Sequence, residues 1–105
     1  MVDEILTAAG LKGRRGRFTA KPPATYVVWF DDLTTDGPDG CPWIVRHDVT
    51  LELYESKPDD AAEAALEAAL AKAGLQYTKQ ARYWLQTEQL YQVIYEFTYY
   101  EKRRI

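Results

Sequence analysis

The side chains that carry most enzyme chemistry are scarce in this 105-residue chain, which has one cysteine (Cys41), one histidine (His47) and one serine (Ser56). A single cysteine closes no disulfide within the chain and fits a reducing compartment. Zinc wants four ligands drawn mainly from cysteine and histidine, and two side chains cannot supply them. A Cys41–His47 thiol dyad fails on distance. Six steps of extended chain separate the two by roughly 20 Å, where a nucleophile and its base need ~3 Å. No apolar run approaches the ~20 residues of a membrane span, and the N-terminus lacks the basic-then-apolar layout of a signal peptide. The acids Asp31, Asp32, Asp36 and Asp39 cluster without the alternating positions and closing glutamate of a calcium loop. The expectation is a non-enzymatic protein with no catalytic residue, metal, cofactor or membrane partner. His47 reads as a lone histidine at a surface or rim.

What the chain does have is a globular composition, 47% hydrophobic and 28% charged, with eight tyrosines and three tryptophans. Its length fits one domain over residues 1–105. The net charge of -3 hides an uneven layout: +3 over residues 1–21, -9 over 22–101 and +3 over 102–105. Basic ends on an acidic body suit contacts between copies or with neighbours in an assembly.

Val2, Ile5, Leu6 and Ala9 fall on one stripe of a short helix over 2–9, stopped by Gly10. Residues 10–25 read as irregular, a mobile loop of glycines set among Lys12, Arg14, Arg15 and Arg17. Thr25 to Phe30 is a strand apolar on both sides, followed by a turn-rich acidic loop over 31–42. A second strand over 43–55 points Val45, Val49, Leu51 and Leu53 one way and Arg46, Asp48, Thr50, Glu52 and Tyr54 the other. The clearest helix spans 59–73, with Asp59 or Asp60 as cap, a capping-box pairing of Asp60 with Glu63, and a stripe of Ala62, Leu66, Ala69, Leu70 and Ala73. Gly74 stands where a left-handed cap belongs, with Leu75 folding back onto the last turn. Strands over 76–86 and 89–101 close the chain across a turn near Thr87 and Glu88. The expected fold is α+β and two-layered: a mainly antiparallel four-stranded sheet in the order 1-2-4-3, with two helices on one face.

Trp29 and Phe30 cannot both point into one core, so one faces a neighbour or the uncovered side of the sheet. With the arginines of the basic segment and the acids of the loop, this makes Arg14, Arg15, Arg17, Trp29, Phe30, Asp36, Asp39 and Trp43 the candidate partner-facing residues.

Three phrases bear on family. Pro22-Pro23-Ala24-Thr25-Tyr26-Val27-Val28-Trp29 resembles the "PPYIVY" strand opening of small tail proteins of long-tailed bacteriophages and prophages. Val49-Thr50-Leu51-Glu52-Leu53-Tyr54 is similar to their hydrophobic-x-hydrophobic-Glu-Leu-Tyr strand, followed, as in theirs, by an acid-capped helix. Glu88-Gln89-Leu90-Tyr91-Gln92-Val93-Ile94-Tyr95-Glu96 resembles their closing strand. The resemblance implies a virion assembly protein of the tail-completion, tail-terminator or head–tail joining kind. It would act at the tail–head junction as a homo-oligomeric ring, often a hexamer, with the tail-tube protein and the head connector or neck proteins as partners. The alternative is a small nucleic-acid-binding module using residues 12–17 and the basic C-terminus, which the isoelectric point near 5.1 opposes.

Overall fold

The computed structural model describes residues 1–18, 22–36 and 44–102, with positions 35 and 36 described as backbone alone. Helix α1 (Val2–Ala9) ends at Gly10, whose φ of 74° lets the following N–H of Leu11 reach back to the Leu6 carbonyl at 2.9 Å. The chain then forms β1 (Gly13–Arg15), β2 (Thr25–Asp36), β3 (Ile44–Glu55), α2 (Asp60–Lys72), β4 (Tyr77–Lys79), β5 (Tyr83–Leu85) and β6 (Leu90–Lys102). The Asp59 side chain caps α2 by accepting from the Ala62 N–H at 3.0 Å, and also accepts from the Thr25 hydroxyl at 3.1 Å, tying the helix start to β2.

The four-stranded, mainly antiparallel sheet in the order 1-2-4-3 is corrected to a six-stranded mixed sheet in the order β1-β2-β3-β6-β4, with β5 also on β6. Three departures account for this. Residues 13–15 are not a mobile loop but a strand parallel to β2. Gly13 makes this possible, because a Cβ there would run into Leu6 Cδ1 of α1. The first strand does not stop at Phe30. It continues to Asp36 in unbroken register with β3, so Asp31 and Asp32 are strand residues rather than loop residues. The stretch 76–86 is two strands. The register on β6 shifts by one residue between Lys79↔Tyr95 and Tyr83↔Gln92, a bulge that turns Arg82 toward α2.

Strands of 12 and 13 residues at ~3.3 Å per residue run for about 40 Å and account for the 48 Å long axis. The inner face packs Val27, Leu51, Leu53, Val93 and Tyr95 against Ile5 and Leu6 of α1 and Leu66 and Leu70 of α2. Glu63 does not complete a capping box. It is buried, and Lys79 (3.0 Å) and Arg82 converge on its carboxylate. At 13 residues α2 is about 20 Å long, half the length of the strands it covers. Beyond Val49 and Phe97 the inner face mixes the polar His47 and Glu101 with Leu33, Val45 and Tyr99.

Candidate functional site

Strand alternation sends every second residue of β2, β3 and β6 to the outer face, where no helix packs among the described residues. Its two halves differ in character. At the end where β2 begins, Tyr26 stacks on Tyr54 at 5.1 Å and Phe18 meets Tyr26 edge-on at 5.2 Å. The Tyr54 hydroxyl donates to Glu52 at 2.9 Å and accepts from Gln92 at 3.0 Å. Burial, and then the neighbouring Glu52, push its pKa up to about 12, so it stays protonated as a fixed donor. These rings, with Phe30, Leu85 and Leu90, line a hollow of about 390 Å³ with Arg17 and Glu88 at its rim. Phe30 is 40% exposed.

Farther along the strands lies a shallow cleft of about 800 Å³, lined by Asp32, Asp48, Thr50, Glu96 and Thr98 together with the start of β4. Asp48 accepts from Thr98 at 2.7 Å and from Arg46 at 3.2 Å, and Glu96 accepts from Gln80 at 3.0 Å. Asp32 has no hydrogen bond or ion pair among the described residues.

The sequence candidates divide between the two faces. Arg14, level with Val28, is on the outer face, and Arg17 reaches the same face. Arg15 lies on the inner face, 5.6 Å above the Trp29 ring, and donates to the Asp31 carbonyl at 3.3 Å. Trp29 is half-buried beneath it at the margin of the core, so of the pair 29 and 30 it is Phe30 that faces outward. The basic segment therefore does not present its three arginines together. Asp36 is described as backbone only, at the end of β2. Asp39, Trp43 and Cys41 lie outside the described residues.

Two polar clusters escaped the sequence reading. His47 is not a rim histidine: it is 6% exposed and stacks on Tyr99 at 4.2 Å. Its Nδ1 lies 2.9 Å from Asp31 and its Nε2 3.0 Å from Glu101. Both ring nitrogens face carboxylates, so both donate and the ring is an imidazolium. Burial works against that charge, but the hydrogen bonds and charges of Asp31 and Glu101 outweigh it and raise the pKa. The second cluster joins α2 to the bulge. Glu55 is fully buried, with the Arg82 Nε 3.3 Å away but out of line for a hydrogen bond. Burial and the adjacent Glu63 push the Glu55 pKa up to about 7. Burial also disfavours the Glu63 charge, yet Arg82 and Lys79 hold its carboxyl below the usual range. A pair of carboxyls driven apart in pKa is an acid–base arrangement. Here it lies under Arg82 and Lys79 with Glu55 sealed from solvent, so it clamps helix to sheet and reaches no substrate. Among the described residues no group of three His, Cys, Asp or Glu side chains is placed to hold a metal ion. No described helix is long and apolar enough to cross a membrane.

No protein-family model and no curated protein sequence matches this chain. Its fold does match a solved one: a chain from the virion of a native gene transfer agent particle superposes with a TM-score of 0.58 at 14% identity, over 90% of this chain and 81% of that one.

Proposed function

We propose that this protein is a non-enzymatic structural component of a phage or phage-like virion, of the tail-completion, tail-terminator or head–tail joining kind. In this reading it works at the tail–head junction as a ring of identical subunits, seated between the tail tube and the head connector. The observation that carries the proposal is the fold shared over nine-tenths of the chain with a chain of a gene transfer agent virion. The tail-protein phrases in β2, β3 and β6 point the same way, and they lie on the three strands that form the centre of the sheet. The surfaces suit an assembly role: a broad uncovered face, and described strand edges that pair with nothing on β2 past Trp29 or on β6 past Phe97. The nucleic-acid reading finds less support in the basic segment, because Arg15 is turned to the other face from Arg14 and Arg17, while Arg103 and Arg104 of the basic C-terminus lie outside the described residues.

The test is deletion of the gene from its phage or prophage with complementation in trans, followed by electron microscopy of the particles. Tails and filled heads that fail to join, or tails of uncontrolled length, are expected, with rescue by the intact gene. Normal yields of joined particles from the deletion would overturn the proposal.

A further inference from the structure

The seam between β3 and α2 sets the carboxyl groups of Glu55, Asp60, Glu63 and Glu67 against two cations. Lys79 on β4 binds Glu63 at 3.0 Å and Glu67 at 2.7 Å, while Arg82 in the bulge binds Glu63 and, at 2.8 Å, Asp60. Glu55, the last residue of β3, is the group left over. It is fully buried, the Arg82 Nε stands 3.3 Å away but out of line, and neither carboxyl oxygen has a hydrogen bond among the described residues. The other polar groups around it are turned elsewhere. Thr25 and Tyr91 flank it on β2 and β6, but the Thr25 hydroxyl donates to Asp59 and the Tyr91 ring meets Trp84. Tyr95 donates to Glu67 at 2.8 Å, and Lys57 in the connection to α2 is exposed.

A carboxylate buried without donors is the costliest form this side chain can take. A proton on Glu55 removes the charge and supplies the missing donor at once. Its O–H then donates to the adjacent Glu63, which Lys79 and Arg82 hold ionised. The Asp59 backbone N–H and the Arg82 charge pull Glu55 the other way, toward the anion, but burial and Glu63 outweigh them. Two carboxyl groups thus hold one proton between them.

We infer that Glu55 and Glu63 share one proton that latches the start of α2 to the end of β3, and that its loss lets the first turns of α2 lift from the sheet. The bond spans the corner made by residues 56–59, so it fixes the angle at which the chain turns from strand into helix. Without the proton, two carboxylates stand side by side with one of them sealed from solvent. The shortest relief is for Glu63 to swing outward with Asp60 and Arg82, whose side chains already reach water. The far end of α2 stays in place, held by Leu70 in the core and by Leu75 folded back onto it. This stands apart from the virion reading, since the latch belongs to a single folded chain.

Nuclear magnetic resonance of the purified full chain tests it, with circular dichroism to confirm the fold of each variant. The side-chain carboxyl carbons of Glu55 and Glu63 should shift together, with one midpoint near neutrality. Glu63→Gln should move the Glu55 midpoint down toward the ordinary glutamate range. Amides of residues 63–66, corrected for intrinsic exchange rates, should lose more than about tenfold in protection from about pH 5 to about pH 7, the slope for one proton being at most about tenfold per pH unit. The loss should not depend on low concentrations of urea, as befits a local opening. Glu55→Gln keeps a donor for Glu63 but has no proton to lose, so its protection should stay flat over the same range. A Glu55 carbon that titrates as an ordinary glutamate, flat protection in the wild type, a fall that follows the urea dependence of global unfolding, or the same fall in Glu55→Gln would overturn the inference.

Discussion

Along the same three strands, the half beneath the helices closes on Leu51, Leu53, Leu66, Leu70, Val93 and Tyr95, all without measurable exposure, whereas the half beyond them closes on His47 held between Asp31 and Glu101. The first kind of closure is non-directional, proportional to area and indifferent to pH. The second depends on three protonation states and on bonds aimed at two ring nitrogens. Because α2 covers only half the strand length, the far half buries little apolar material beyond Val45 and the Tyr99 ring and is held largely by charge and hydrogen bonding across β2, β3 and β6. The seam at Arg82 is intermediate, a buried carboxyl pair on the edge of the apolar half.

The contrast can be broken from its strong side first. Leu66→Ala should lower unfolding stability by about 2–5 kcal/mol, a large fraction of what a small domain possesses, read as a fall in the urea midpoint with unchanged slope. A midpoint that does not move would mean that α2 contributes little to the core. At the seam, Arg82→Ala should cost about 1–3 kcal/mol near neutral pH, the cost being moderated because the guanidinium is partly solvated. The loss should shrink as pH falls, because in the variant Glu63, still buried but without Arg82, takes up a proton at a higher pH than it does in the wild type. A loss that does not change with pH would show that Arg82 acts only through packing.

The smallest effect sharpens the contrast most. The His47 pKa is raised in the folded state. Its stabilisation is therefore fully present below the unfolded value of about 6.5 and is lost as pH rises through the folded value. Glu55, also raised, loses stability over the lower window from about 4.5 to about 7. His47→Gln should thus cost about 1 kcal/mol at pH 6 and progressively less toward pH 9, with the Glu55 contribution common to both proteins. Parallel melting-temperature curves for the two proteins from pH 6 to 9 would show that the ring is held neutral.

What could be read from the residues was whatever expresses itself as apolar periodicity or as a terminal signal. The stop at Gly10, the cap at Asp59, the αL turn at Gly74 with Leu75 folded back, and the alternation of β3 and β6 belong here. The misses share one cause: a polar residue in a structured place. Asp31 and Asp32 looked like loop because acids disfavour strands, yet pairing with β3 and the partnership with His47 hold them extended. His47 and Glu55 follow the same odd-numbered parity as Val45, Val49, Leu51 and Leu53, so their inward direction was available from spacing alone, but their polarity hid it. Gly13-Arg14-Arg15 has no apolar signal, and its strand exists only because β2 offers an edge. The bulge leaves no mark in an otherwise continuous run from 76 to 86. Of the candidate site, Phe30 and the arginines were singled out, but only the register shows which of them share a face.

The short parallel pairing of β1 has a mechanical consequence. Pulled by its two ends, the chain feels force at α1 and at the end of β6, nearly along the strands. The bonds from Val27 N–H to the Lys12 carbonyl and from Gly16 N–H to the Trp29 carbonyl anchor the first segment to the sheet. Few bonds share the force there, so α1 and β1 tear away early. The pull then passes to the start of β2, opposite the far end of β6, and loads the ladders on both sides of β3 lengthwise, with twelve residues engaged in each. Those bonds must shear together rather than unzip in turn, and forced unfolding is governed by the rate of that step. Stretching single molecules should therefore show a weak early release followed by one much stronger event, the signature of a sacrificial clip ahead of a stiff three-strand splice.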